Sequence, residues 1–138
     1  MARIERFEDL ECWRLGRRLR QTIYGLTRLD AFRSDNALVW QIRRAAVSIT
    51  ANVAEGFERG GNREFIQFLS HAKGSAGETK DHLYTALDEG YIKPTDFEAA
   101  YALADQTTCL IGGFMSYLRS TEKIGSKFVS KSAAAPEP

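Results

Sequence analysis

Apolar residues recur at helical spacing in four separate stretches of this chain, and the joints between them are only three to six residues long. Few folds satisfy both conditions. The first stretch runs from about Glu8 to Leu29, with Cys12, Leu15, Leu19, Ile23, Leu26 and Leu29 on one side. The second runs from about Ser34 to Phe57, with Ser34 or Asp35 as its N-cap and Leu38, Ile42, Ala45, Ile49 and Val53 as its stripe. The third opens near Asn62, a candidate N-cap after Gly60-Gly61. It carries Phe65, Leu69, Ala72, Ala76, Leu83 and Leu87 and stops at Gly90. The fourth opens at Pro94, a residue well suited to a first helical turn, and carries Phe97, Tyr101, Ala104, Thr108, Ile111, Met115 and Leu118. No stretch alternates as a strand would. Short joints force successive helices antiparallel, so the pattern predicts an all-α, up-down-up-down four-helix bundle.

At 138 residues the chain suits one domain with its own core. The bundle is expected over residues 1–121. Residues 122–138, rich in Lys, Ser, Ala, Gly and Pro, are expected to form a flexible tail. No apolar run approaches the roughly 20 residues that span a bilayer, and the charged N-terminus lacks the apolar stretch of a secretory signal. Cys12 and Cys109 are far apart and outside any C-x-x-C pair, which predicts two reduced, buried thiols in a cytoplasmic protein.

The second helix has more apolar surface than one bundle uses. On a wheel of ~100° per residue, its core stripe continues through Val39, Thr50 and Ala54 to Val47, about 180° from Leu38. Either the helix sits deep in its own bundle, or a second subunit covers its far side; a four-helix bundle encloses no helix fully, which favours a homo-oligomer. The remaining arc is polar: Gln41, Arg44, Ser48, Asn52, Glu55 and Arg59 fall in line. The third helix carries a matching line of His71, Ser75, Glu78 and His82. Ser48, Asn52, Glu55, Ser75 and Glu78 are therefore candidates for a polar network or a subunit interface. Solvated faces are the alternative. Gly74 and Gly77, and the Gly112-Gly113 pair, sit inside helices at a cost of ~1 kcal/mol each relative to alanine. They suggest that another backbone comes close, or that the helix kinks there.

Catalytic signals are weak. His71 and His82 share a face but stand ~16 Å apart along the helix, too far for one metal. Glu78 and His82 make at most half a site, and a helical ion pair explains them. Neither cysteine has an electropositive local sequence, and Gly60-Gly61 lacks the Lys-Ser/Thr of a phosphate loop. The expectation is a non-enzyme with no cofactor and no metal. Charge is more suggestive. Residues 1–63 hold 12 Lys/Arg against 8 Asp/Glu, and residues 64–138 hold 7 against 10, so the halves carry +4 and −3. Arg14, Arg17, Arg18 and Arg28 fall with Gln21 in an arc of ~100° on the first helix, opposite its apolar stripe. Such a row suits a phosphate backbone and would bind it in a salt-sensitive, weakly sequence-specific way; a merely soluble face is the other reading. No stacking-platform motif for single-stranded bases is evident.

Several blocks carry a resemblance. They are Phe7-Glu8-Asp9-Leu10 with Trp13, Gln41 to Ile49 (QIRRAAVSI), and Asn52-Val53-Ala54-Glu55-Gly56-Phe57. Glu64 to Leu69 (EFIQFL), Gly74-Ser75 with Glu78, and Gly90-Tyr91-Ile92 complete the set. Over about residues 7–118 the chain resembles a bacterial four-helix-bundle family. Its members were first noticed as proteins encoded within intervening sequences of large-subunit ribosomal RNA genes, and the accessory variability protein of diversity-generating retroelements is related. The resemblance implies a homopentamer without enzymatic activity. In the retroelement branch it implies a basic surface that binds RNA or DNA and a reverse transcriptase. Arg43, Arg44 and Lys73 match basic positions of that pattern, with a role in assembly as the alternative. The chain departs from the pattern at Thr50, where the family usually has proline, and in its near-neutral net charge of +1.

Overall fold

A computed structural model describes residues 3–123, and all of its regular structure is helical. A 3₁₀ turn at Phe7–Asp9 leads into α1 (Glu11–Thr27). A single helical turn, α2 (Asp30–Arg33), links it to α3 (Asn36–Arg59); α4 (Asn62–Asp88) and α5 (Pro94–Lys123) follow. The four long helices close a cycle in which α1 packs on α3 and α5, and α4 packs on α3 and α5. Of the expected tail at 122–138, residues 124–138 lie outside the described residues. Within them, α5 runs two residues past the expected boundary at 121.

Local chemistry explains the helix ends. The first predicted helix is shorter than its apolar period because Asp9 accepts from the backbone N–H groups of Glu5 and Arg6 at 2.9 and 3.1 Å, which bends the chain into the 3₁₀ turn before α1. Of the two candidate caps for α3, Asp35 does the work: its Oδ1 accepts from Leu38 N at 3.0 Å, and its Oδ2 accepts from Tyr91 Oη at 2.9 Å. One carboxylate thus starts α3 and ties it to the loop before α5. Gly60 ends α3 at φ +93°. Gly90 (φ +75°) ends α4, with Tyr91 N bonded to Ala86 O and Gly90 N to Leu87 O. That bonding pattern needs a left-handed residue between the two donors, which glycine supplies without strain. Asn62 is not a cap. It is the buried first residue of α4, and its Nδ2 donates to Leu118 O (3.2 Å) and Thr121 Oγ1 (2.7 Å) near the end of α5.

The core follows the apolar stripes. Cys12, Leu19 and Ile23 of α1 meet Ile42, Ile49 and Val53 of α3, Phe65, Leu69 and Leu83 of α4, and Ile111 and Leu118 of α5. Each large aliphatic or aromatic side chain removed from water in this way is worth about 1.5–3 kcal/mol. Leu29 falls outside the core because α1 has already ended, and on α5 Thr107 is buried while Thr108 is only half-buried. Cys12 is buried, but Cys109 is exposed, which corrects the expectation of two buried thiols: on α5 it shares its outward face with Asp105, Gln106 and Gly113.

The close approaches lie at glycines other than those expected. A Cβ on Gly56 would stand 2.8 Å from both Phe65 Cδ1 and Phe68 Cβ, so this glycine sets how tightly α3 and α4 pack. Gly16 brings α1 against Thr50 Cγ2, 3.1 Å from where its Cβ would be. At Gly74, Gly77, Gly112 and Gly113 nothing lies within 4 Å of an added Cβ among the described residues.

Candidate nucleic-acid interface

The seam between α1 and α3 is clasped at two points by arginines reaching across to threonines. Arg20 of α1 donates from Nη1 to Thr50 Oγ1 at 2.8 Å, and Thr50 Oγ1 donates back to Val47 O at 3.2 Å. Arg43 of α3 reaches the other way. Its Nε donates to Thr27 Oγ1 at 2.8 Å, and Thr27 Oγ1 donates to Tyr24 O at 2.9 Å. Thr27 and Thr50 are buried, so each clasp fixes a guanidinium against the protein while leaving most of its five N–H donors unused. The Arg43 guanidinium also lies 4.4 Å from the centre of the Tyr24 ring. Between the clasps runs an open groove of about 470 Å³, lined by Arg20, Gln21, Tyr24, Arg28 and Val47.

The α1 arginines of the expected row divide. Arg17, Arg18 and Arg28 are exposed, and Arg28 lines the groove. Arg17 stands 5.8 Å from the Trp13 ring, itself edge-on to Phe7. Arg14 is different: its Nε donates to Glu8 O at 2.8 Å, its Nη1 to Glu11 at 3.1 Å, and Asp9 lies 4.0 Å away. It staples the N-terminal turn, and its charge is answered within the chain. On α3, Arg44 is exposed, 5.3 Å from the ring of Trp40, which is 63% exposed. Lys73 is exposed on α4 and is not brought to the groove, whose lining comes from α1 and α3. Among the described residues, none of Arg17, Arg18, Arg20, Arg28, Arg43 and Arg44 has a carboxylate within 4.0 Å.

The polar lines of α3 and α4 meet in part. Ser75 Oγ donates to Ser48 Oγ at 2.9 Å, and Asn52 Nδ2 donates to Ser48 O (2.8 Å) and Ser48 Oγ (3.0 Å). Glu55 and Glu78 do not join them. Both are exposed: Glu55 pairs with Arg59 at 2.8 Å, and Glu78 lies 3.5 Å from His82 Nε2 on its own helix, without hydrogen-bond alignment. Burial pushes the Cys12 thiol up to about 12, which keeps it protonated and unreactive.

Arg20, Tyr24 and Trp40 are absent from the sequence-level candidates. Arg20 lies off the arc of the other α1 arginines, and its threonine partner is 30 residues away. Trp40 gave a local signal: a tryptophan on the outward arc of α3, four residues before Arg44.

Residues 8–113 match the family described as 23S rRNA-intervening sequence protein. The chain belongs to that family. The match spans the whole of α1, both clasps and the groove, and ends within α5. A search of curated proteins found no match. Thr50, the position where the resemblance leads one to expect proline, is the acceptor of one clasp, and α3 runs through it as an unbroken helix.

Proposed function

We propose that this protein is a non-enzymatic, self-assembling scaffold that binds nucleic acid through the α1/α3 face. The observation that carries the reading is the set of six arginines of α1 and α3 with no acidic partner among the described residues. Guanidinium groups not neutralised from within are available to phosphates, and two of them are already oriented by the clasps. The resemblance to the retroelement branch implies a basic surface of this kind, with a reverse transcriptase as the protein partner.

Self-association is the second part of the proposal, and the resemblance gives its number as five. The outer α3/α4 face supports it. There, exposed Ala51, Gly74 and Gly77 flank the half-buried Ser48, Asn52 and Ser75, and small side chains let a second copy's backbone approach. The antiparallel up-down-up-down course is supported by pairings that run in opposite senses: Arg20 with Thr50 and Arg43 with Thr27, Asn62 with Thr121 and Lys80 with Asp105. A non-catalytic role fits a Cys12 thiol held protonated and serine hydroxyls bonded to each other and to an amide, which cannot take their protons. The assembly is read as cytoplasmic from its two separated, unpaired cysteines; no described helix is long and apolar enough to cross a membrane.

Binding to structured RNA and to duplex DNA, measured as salt is raised, tests the first part. Affinity should fall steeply with salt, and absence of binding at low salt with the assembly intact refutes it. For the second part, Gly74→Leu should shift the particle to a smaller size in solution while helicity is unchanged; an unaltered size removes the α3/α4 face as the contact. A second reading, a protein-interaction module without nucleic acid, draws on the exposed Trp40 and Val47. Capture of a specific partner that survives nuclease treatment, together with no nucleic-acid binding, would favour it.

A further inference from the structure

The α1/α3 face is more than a row of charges, because aromatic and aliphatic surface lies exposed between the arginines. Trp40 is 63% exposed and Val47 39% exposed, whereas neighbouring positions of α3 such as Ile42, Ala46 and Ile49 are fully buried. Trp40, Arg44 and Val47 are spaced by four and then three residues, so they form one strip along α3, about 10 Å long. Val47 is the wall of the groove, and Tyr24 lines it from α1. The clasped guanidinium of Arg20, held to Thr50, lines that groove, and that of Arg43, held to Thr27, lies 4.4 Å from the ring of its Tyr24.

A duplex presents phosphates and buries its bases in the stack, so it has no use for an exposed indole beside a guanidinium. A single strand offers both phosphates and free base faces, and its binding surfaces combine a basic track with aromatic platforms. We infer that the α1/α3 face takes single-stranded nucleic acid, with Trp40 as a stacking platform for a base and the clasped Arg20 and Arg43 as pre-oriented phosphate ligands. The inference rests on the proposed nucleic-acid role of this face and narrows it to one class of strand. Arg44, 5.3 Å from the Trp40 ring, polarises the platform from its own side. Thr50 enters as a positioning residue, since it holds Arg20 rather than the strand.

The test uses the full chain, a short labelled oligouridylate, a duplex of the same length, and heparin as an anion without bases. The oligouridylate should bind more tightly than the duplex and quench indole fluorescence, which heparin should not do. Trp40→Leu, at an exposed position and checked for unchanged melting, should weaken oligouridylate binding roughly five- to a hundredfold. It should abolish most of the quenching and leave the salt slope and duplex binding unaltered. If the variant binds the oligouridylate as well as the parent does, or the duplex binds at least as tightly, the single-strand assignment is overturned while the basic-face reading stands. If heparin binds but neither nucleic acid does, or if nothing binds at low salt, both are overturned.

Discussion

The two flanks of α3 are built in opposite ways. On the α4 side a glycine lets the helices close until Gly56 rests against Phe65 and Phe68, and the charges are answered locally: Arg59 is held between Glu55 and Glu64 at 2.8 and 3.0 Å. Further round, Lys80 of α4 meets Asp105 of α5 at 2.8 Å. On the α1 side Arg20 and Arg43 hold the helices at two points, with an open groove between them and no carboxylate near its arginines among the described residues. Close packing with internal ion pairs leaves little for an anion to bind. A basic seam that stays partly open does the reverse. The near-neutral total charge therefore hides a polarised molecule, because much of the acid sits where it is already paired.

The contrast is broken most severely at Gly56. Gly56→Ala forces a methyl into space held by Phe68 Cβ, an atom that cannot move without its helix. A loss of about 1–3 kcal/mol in denaturant unfolding is expected, and a neutral result would mean that the α3/α4 seam is looser than described. Next in size is Thr50→Val, which keeps the shape of the side chain but removes the acceptor of the Arg20 clasp. About 1–2 kcal/mol should be lost, together with part of the nucleic-acid affinity; unchanged stability and affinity would show that the clasp does not order Arg20.

A smaller effect belongs to the core that both seams share. The Cys12 thiol is raised from 9.0 to about 12, first by burial, so the native state stays protonated where the unfolded chain loses its proton. Stability from this group is complete below pH 9.0 and is lost as pH rises from there towards about 12. At pH ~9.5 the parent should have lost about 1 kcal/mol more, relative to neutral pH, than Cys12→Ala. Equal losses would contradict the burial. A thiol reagent on the native protein should correspondingly modify Cys109 and spare Cys12 until the chain unfolds.

Features set by near neighbours were legible in the sequence. Helix spans, the Asp35 cap and the turns at Gly60 and Gly90 follow from periodicity and local hydrogen bonding, and they stand within a few residues of where they were expected. Features set by register across the bundle were not. Gly74 looks more conspicuous than Gly56, yet it is Gly56 that packs against Phe65 and Phe68 of α4, because which glycine meets a partner depends on how α4 folds back on α3. Glu55 shares a line with Asn52 and Glu78 one with Ser75, but their reach takes them outward to Arg59 and towards His82. Arg14 belongs to the row of α1 arginines by wheel position and leaves it by chemistry, once the 3₁₀ turn brings Glu8 and Asp9 alongside. The candidate interface was thus half visible: its exposed arginines lie on helix arcs, while Arg20 and Tyr24 acquire their place only when α1 and α3 are side by side.

The central claim is that the unpaired arginines of the α1/α3 face are what nucleic acid meets. The most direct measurement compares the salt dependence of oligonucleotide binding for the parent and for a variant carrying Arg18→Gln, Arg28→Gln and Arg44→Gln, all at exposed positions. With folding and particle size unchanged, the slope of log affinity against log salt should become shallower by about 0.7 for each phosphate contact removed from a single strand, about 2 in all. The same slope and affinity in both proteins would contradict the claim and place any binding elsewhere on the molecule.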